Sequence, residues 1–250
     1  MGLLPVEIKV DIEDDVAMAL SALGGTRGAP TMRRIWFAED RDGVVEGRAP
    51  LLDGGVIVRF RSGDGTDDLT VKLRPCTRDQ LVGQFLEAFE LVPFTYRIEQ
   101  DWSGENRVLA ASLVHVHPAG TLAGAVEAGA DPAASIDSVQ DQFLHACARP
   151  VRLDRLVALG PILSTKADDV PLGDLDVDLE VWSVAGLKFL EASMRVKPKD
   201  HEKAGEFAAR AERRQRKLED AVRDRGVTPS EHPESKTRRV LTALAGARHN

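Results

Sequence analysis

Arg59-Phe60-Arg61 and Lys72-Leu73-Arg74 put basic side chains at every second position of two neighbouring segments. That alternation is the period of a strand with two unlike faces. Arg59 and Arg61 then oppose Val58 and Phe60, while Thr70, Lys72 and Arg74 oppose Leu69, Val71 and Leu73. Arginine presents a planar donor fork that matches phosphate oxygens, and lysine adds a compact charge. Acidic side chains repeat the pattern elsewhere: Glu7 with Lys9 and Asp11, Glu99 and Asp101 with Arg97, Glu180 after a run of alternate aspartates, and Glu191 with Ser193 and Arg195. Carboxylates drawn from two or three strands can hold Mg2+ or Mn2+, which keeps several waters and bridges to phosphate oxygens. For any one strand, a solvated polar face is the simpler reading. As a set, however, these faces consist largely of full charges segregated by sign, with little of the Thr, Ser and Gln that dilutes a solvent face. A closed barrel can carry such faces inward while its apolar faces pack against helices, and low-dielectric walls then strengthen each charge interaction.

The elements that must position these residues follow from the same periodicity. A first strand alternates Val6, Ile8, Val10 and Ile12 with the charged set, and Asp14 or Asp15 caps a short helix that Gly24-Gly25 stops. A strand is expected at 34–37, a loop over 38–55, and a hairpin whose turn is Ser62-Gly63-Asp64-Gly65. Leu81, Val82, Phe85, Leu86 and Phe89 predict an amphipathic helix over 77–90. Strands are expected around 96–102 and 107–116, then a loop or insertion over 118–134, a helix at 136–147, a short helix near 152–158 and a strand at 161–166. A last two-faced hairpin spans roughly 175–196. Residues 198–225 carry a thin apolar stripe, Ala204, Phe207, Ala211, Leu218 and Val222, and predict one long charged helix, followed by a polar linker and a short basic helix at 237–248.

The order of these motifs resembles the CYTH superfamily, the triphosphate tunnel metalloenzymes. Pro5-Val6-Glu7-Ile8-Lys9 is similar to the family's opening E-x-E-x-K, with Pro5 at the first acid; Arg59-Phe60-Arg61 and Thr70-Val71-Lys72 are similar to its R-x-R and T-x-K strands. Arg97-Ile98-Glu99-Gln100-Asp101 resembles its Arg before E-x-E. Glu180-Val181-Trp182, Gly186-Leu187 and Glu191-Ala192-Ser193 resemble the closing strands, with Ser193 at the last acid. The resemblance covers residues 5–196. It implies an α+β fold, a closed antiparallel eight-stranded β-barrel with helices outside, as a tunnel domain over 1–197, with 198–250 as a charged C-terminal helix and tail. It implies that Lys9, Arg59, Arg61, Lys72, Arg97 and Lys166 bind substrate. It also implies that Glu7, Glu99, Asp101, Glu180 and Glu191 hold Mg2+ or Mn2+, and that Glu7 and Glu191 act in catalysis. The substrate would be a triphosphate-containing small molecule or inorganic polyphosphate.

Composition narrows the class. With 43% hydrophobic and 29% charged residues the chain is ordinary for a globular protein, and its 250 residues suffice for a sizeable core. A net charge of -7 argues against a generally basic nucleic-acid binder. Cys76 and Cys147 form no metal-ligand spacing and are expected as buried reduced thiols. No signal peptide or membrane span is expected, which predicts a cytoplasmic protein. The 198–225 helix is expected to pack on its own domain, with covering a tunnel mouth or mediating a homodimer as the alternatives. Three functional readings stand side by side: a metal-dependent phosphohydrolase; a catalytically weak anion-binding or regulatory module, motivated by Pro5 and Ser193; and a partner-binding β protein with a solvated charged sheet. Adenylyl cyclase chemistry ranks below hydrolysis because nothing marks an adenine pocket.

Overall fold

The protein's computed structural model describes residues 2–25, 29–63, 65–230 and 235–249, with the side chains of 247–249 left aside. Asp64 of the expected turn and the Arg248 side chain lie outside that set. The strands are β1 (Val6–Ile12), β2 (Thr31–Asp40), β3 (Val56–Gly63), β4 (Thr66–Cys76), β5 (Phe89–Leu91), β6 (Phe94–Ser103), β7 (Asn106–Pro118), β8 (Leu156–Leu172), β9 (Leu175–Val184) and β10 (Leu187–Val196). The helices are α1 (Val16–Ala22), α2 (Arg41–Val45), α3 (Pro50–Asp53), α4 (Thr121–Glu127), α5 (Ser138–Cys147), α6 (Ala204–Asp224) and α7 (Lys236–His249).

The strands hydrogen-bond in the order β1-β10-β9-β8-β2-β3-β4-β7-β6-β5, and β1 also pairs with β6. The pairing therefore returns on itself: nine strands close a barrel, β5 stays outside it, and helices cover the outer side. The expectation of eight antiparallel strands is off by one. An odd number of strands cannot alternate direction all the way round, so one neighbouring pair must be parallel, and that pair is β1–β6.

Contacts divide the chain into two compact units, one comprising Met1–Thr31, Glu99–Val108 and Ser164–Lys236, the other Met32–Ile98, Leu109–Leu163 and Thr237–Asn250. In the first unit the apolar faces of β1, β9 and β10 bury Val6, Ile8, Val177, Leu179 and Ala192 against Phe207, Ala211, Leu218 and Val222 of α6. That stripe repeats at helical spacing, and full burial of each large apolar side chain stabilises by roughly 1.5–3 kcal/mol. In the second unit Phe85, Tyr96 and Phe143 pack ring to ring at centroid distances of 4.9–5.5 Å, and β3 and β4 bury Val58, Phe60, Leu69 and Val71. Cys76 and Cys147 are buried free thiols, as expected.

Several expectations need correction. No helix spans 77–90: two 3-10 turns at Arg78–Gln80 and Gly83–Leu86 lead into β5. Gly83 adopts φ +60, which an α-helix cannot include, and of the apolar set Val82 and Leu86 are exposed while Leu81 and Phe85 are buried. The 38–55 loop holds α2 and α3. Glu39, fully buried, caps α3 by accepting from the Leu51 and Leu52 N–H groups at 2.7 and 3.2 Å; burial raises its pKa despite those bonds. The 118–134 segment holds α4, whose Leu122 and Ala123 N–H groups donate to Asp67 of β4 at 2.8 and 3.1 Å. Residues 156–166 belong to one long strand, β8, in place of a helix and a short strand. Its Gly160 lies so close to Ile35 that a Cβ would meet the carbonyl oxygen at 2.7 Å. The basic C-terminal segment is docked through buried Val240, Leu241 and Ala245, and Arg238 pairs with Asp53 at 2.7 Å.

Candidate functional site

The apolar side of β1 turns toward α6, so Glu7, Lys9 and Asp11 turn to the barrel's inner face. The registers of β1 with its two neighbours then stack inner side chains in rows. Glu7 stands between Asp101 of β6 and Arg195 of β10. Lys9 stands between Ser103 and Ser193, and Ser193 in turn faces Asp178 of β9. Asp11 faces Glu191, which faces Glu180.

The first row forms an acidic cluster. Glu7, Glu99 and Asp101 each offer an oxygen, and these atoms lie within 4.8 Å of one another. The Asp101 side chain is 0% exposed and that of Glu99 7%, against 27% for Glu7. Buried carboxylates persist as anions only where cations meet them. Lys9 Nζ lies 3.0 Å from Glu7 and 3.6 Å from Asp101, and the Arg195 guanidinium donates to Glu99. An all-oxygen donor set of this kind suits a hard divalent cation such as Mg2+ or Mn2+, so the residues fit the ion that the resemblance implies. Pro5, at the position of the missing acid, offers its carbonyl to the Gln100 N–H at 2.9 Å.

The second row is neutralised within itself. Lys166 Nζ lies 2.5 Å from Asp168 and 2.7 Å from Asp178. Burial alone would lower the Lys166 pKa, and the two aspartates outweigh it and raise it. The third row holds Glu180 and Glu191, which do not belong to the converging cluster among the described residues. Lys236, at the start of α7, reaches both, at 2.6 Å from Glu180 and 3.5 Å from Glu191, and Ser164 donates to the other Glu180 oxygen at 2.6 Å. Burial alone would raise the Glu180 pKa, but the Lys236 charge and these hydrogen bonds hold it down to about 2.

The basic residues belong to the other unit. Arg59 Nη2 lies 3.4 Å from Thr70 Oγ1, its register partner. Arg61 Nε donates to both Asp68 oxygens at 2.9 and 3.1 Å, and Thr70 donates to the same carboxylate. Lys72 and Arg74 continue this face of β4 and are half-buried, whereas Arg97 on β6 is exposed. The β3–β4 hairpin thus presents a preorganised basic ladder, with Asp68 and Thr70 interleaved.

The alternation placed Arg195 on the charged face of its strand without giving it a partner, and it did not mark Asp68, Ser164 or Lys236 as members of these rows. Asp68 was findable by extending the strict alternation from Thr70 by one more position. Lys236 sits in a helical segment, where no strand period points at it.

Comparison with protein-family models and with curated proteins finds no match. Solved structures do match. One is a candidate adenylyl cyclase, HpAC1 from Hippeastrum, described as having a dominant triphosphatase activity, with TM-score 0.57, 15% identity and 96% of both chains covered. Another is a candidate adenylate cyclase from Bacillus halodurans, with TM-score 0.57, 13% identity, and 95% of this chain and 98% of that one covered. The chain therefore shares its closed, helix-flanked barrel fold with these two structures. At these identities the likeness is one of fold.

Proposed function

We propose that this chain binds a triphosphate- or polyphosphate-like anion on the barrel's inner face and hydrolyses its terminal phosphoanhydride with a divalent metal ion. The observation that carries this reading is the convergence of Glu7, Glu99 and Asp101 within 4.8 Å. The fold neighbour described as a triphosphatase adds support.

Arg59, Arg61, Lys72 and Arg97 would donate to phosphate oxygens, with guanidinium forks fixing orientation. Lys9 adds charge beside the acidic cluster, and Lys166 does so beside Asp178. Glu7, Glu99 and Asp101 would hold the Mg2+ or Mn2+, which when bound offsets phosphate charge during in-line attack by water. Glu7 is the most exposed of the three and would accept the proton of the attacking water. Lys9 and Arg195 pair with the cluster's carboxylates and hold them in place before the anion arrives.

A phosphate-release assay on tripolyphosphate, nucleoside triphosphates and thiamine triphosphate, with Mg2+ and with Mn2+, tests the proposal. Release that requires the metal and falls in Asp101→Asn supports it. A second reading, anion binding without efficient hydrolysis, draws on Ser193 and on the engagement of Glu180 and Glu191 by Lys236. Tight tripolyphosphate binding with no release would favour that reading.

A further inference from the structure

Glu180 and Glu191 are direct register partners on β9 and β10, and Asp11 is the partner of Glu191 on the other side. Like charges directly opposite one another destabilise a sheet, so this row needs a cation. The chain supplies one from outside the barrel strands. Lys236 is 6% exposed, its Nζ lies 2.6 Å from Glu180 and 3.5 Å from Glu191, and it sits 4.3 Å from the centroid of the Trp182 ring. Ser164 takes the remaining Glu180 oxygen. An ammonium has three donors and one charge, and here it meets two carboxylates and an aromatic face, the surroundings that favour a desolvated ammonium. A Mg2+ ion in the same place would require near-octahedral oxygen ligation, yet one Glu180 oxygen is held by a hydroxyl and the other by an ammonium.

We propose that Lys236 is a built-in cation that fills the Glu180–Glu191 pair, so that in the intact chain this pair holds no divalent metal and Lys236 must leave before one binds. Lys236 then belongs to the site as an intrasteric part of it. A metal-binding chain of this design carries its divalent ion at Glu7, Glu99 and Asp101, with a fixed ammonium in the third row. The inference deepens the reading above but does not depend on hydrolysis.

The test is Mn2+ binding to the full chain, read by electron paramagnetic resonance of free Mn2+, with folding checked by circular dichroism. Glu191→Gln in the otherwise wild-type chain is expected to leave Mn2+ binding unchanged. Lys236→Met is expected to add about one Mn2+ per chain, because two acidic side chains and a hydroxyl become available as oxygen ligands, and Glu191→Gln in that background is expected to remove it. Loss of Mn2+ from the wild-type chain on Glu191→Gln overturns the proposal, and that arm decides even where Lys236→Met does not fold. A folded Lys236→Met chain that binds no more Mn2+ than wild type also overturns it. Glu99→Gln reports separately on the acidic cluster. A wild type that binds no Mn2+, with Lys236→Met gaining an ion, would defeat the cluster reading and support this one.

Discussion

Glu7 and Asp101 are register partners across the parallel β1–β6 pairing that closes the barrel. Closing the sheet and assembling the acidic cluster are therefore one event. The first strand brings Glu7, the sixth brings Glu99 and Asp101, and the parallel register sets them side by side. A chain that failed to form this pairing would lose the cluster along with the closure.

Removing one carboxylate from the cluster should be felt by the metal before it is felt by the fold. Asp101→Asn leaves Lys9 with Glu7 as a partner and keeps the side-chain shape. We expect Mn2+ affinity to fall by about 10–100-fold, the scale seen for perturbed metal shells, with little change in melting temperature. Calorimetric titration of Mn2+ and a thermal melt check both halves.

The basic ladder should govern anion affinity. A charge-assisted hydrogen bond contributes about 1.5–3 kcal/mol. Lys72→Ala is thus expected to weaken tripolyphosphate binding by roughly 10–100-fold, and Arg59→Ala by a similar factor. Unchanged affinity in both would mean that this face is a solvated sheet surface and not an anion site.

Asp67 makes a prediction about stability alone. Fully buried on β4, it caps α4 through two backbone N–H groups; burial would raise its pKa, and the hydrogen bonds outweigh that and lower it. Asp67→Ala leaves those donors unmet and is expected to destabilise the fold by about 1–3 kcal/mol, measured by urea denaturation.

The Lys236 contact carries a pH signature. Glu180 is held near 2, below its ordinary 4.5, so its stabilisation is complete above the usual carboxylate range and is lost as pH falls from about 4.5 toward about 2. Removing one partner of a buried ion pair costs roughly 3–5 kcal/mol. Lys236→Met should therefore be less stable than wild type near neutral pH by about that amount, and the gap should close through the acid window. A gap that stays constant from pH 7 to pH 3 would contradict the contact.

Much of the barrel was legible because its strands have two unlike faces. Glu7, Lys9, Arg59, Arg61, Lys72 and Glu99 announce themselves by alternation with buried Val, Ile, Leu and Phe, and Asp101 by its place two residues past Glu99; period two is the one pattern that survives without knowledge of the partners. The alternation itself marked nine strands between residues 6 and 196; the count of eight came with the resemblance, and β2, which buries residues on both faces over 35–40, was marked only in part. The 77–90 segment misled for the opposite reason: its apolar spacing is helical, but Gly83 breaks the backbone there. The site was read as five metal-ligating carboxylates, yet three of them converge while Lys236 engages the other two. That contact joins residues 45 or more positions apart through a helical segment, and nothing local in the sequence encodes it.

The measurement that bears most directly on the central claim is calorimetric titration of tripolyphosphate into the full chain, with and without Mn2+. The account predicts saturable binding at one site per chain, tightened by Mn2+ and weakened by Lys72→Ala. No saturable heat in either condition would contradict it.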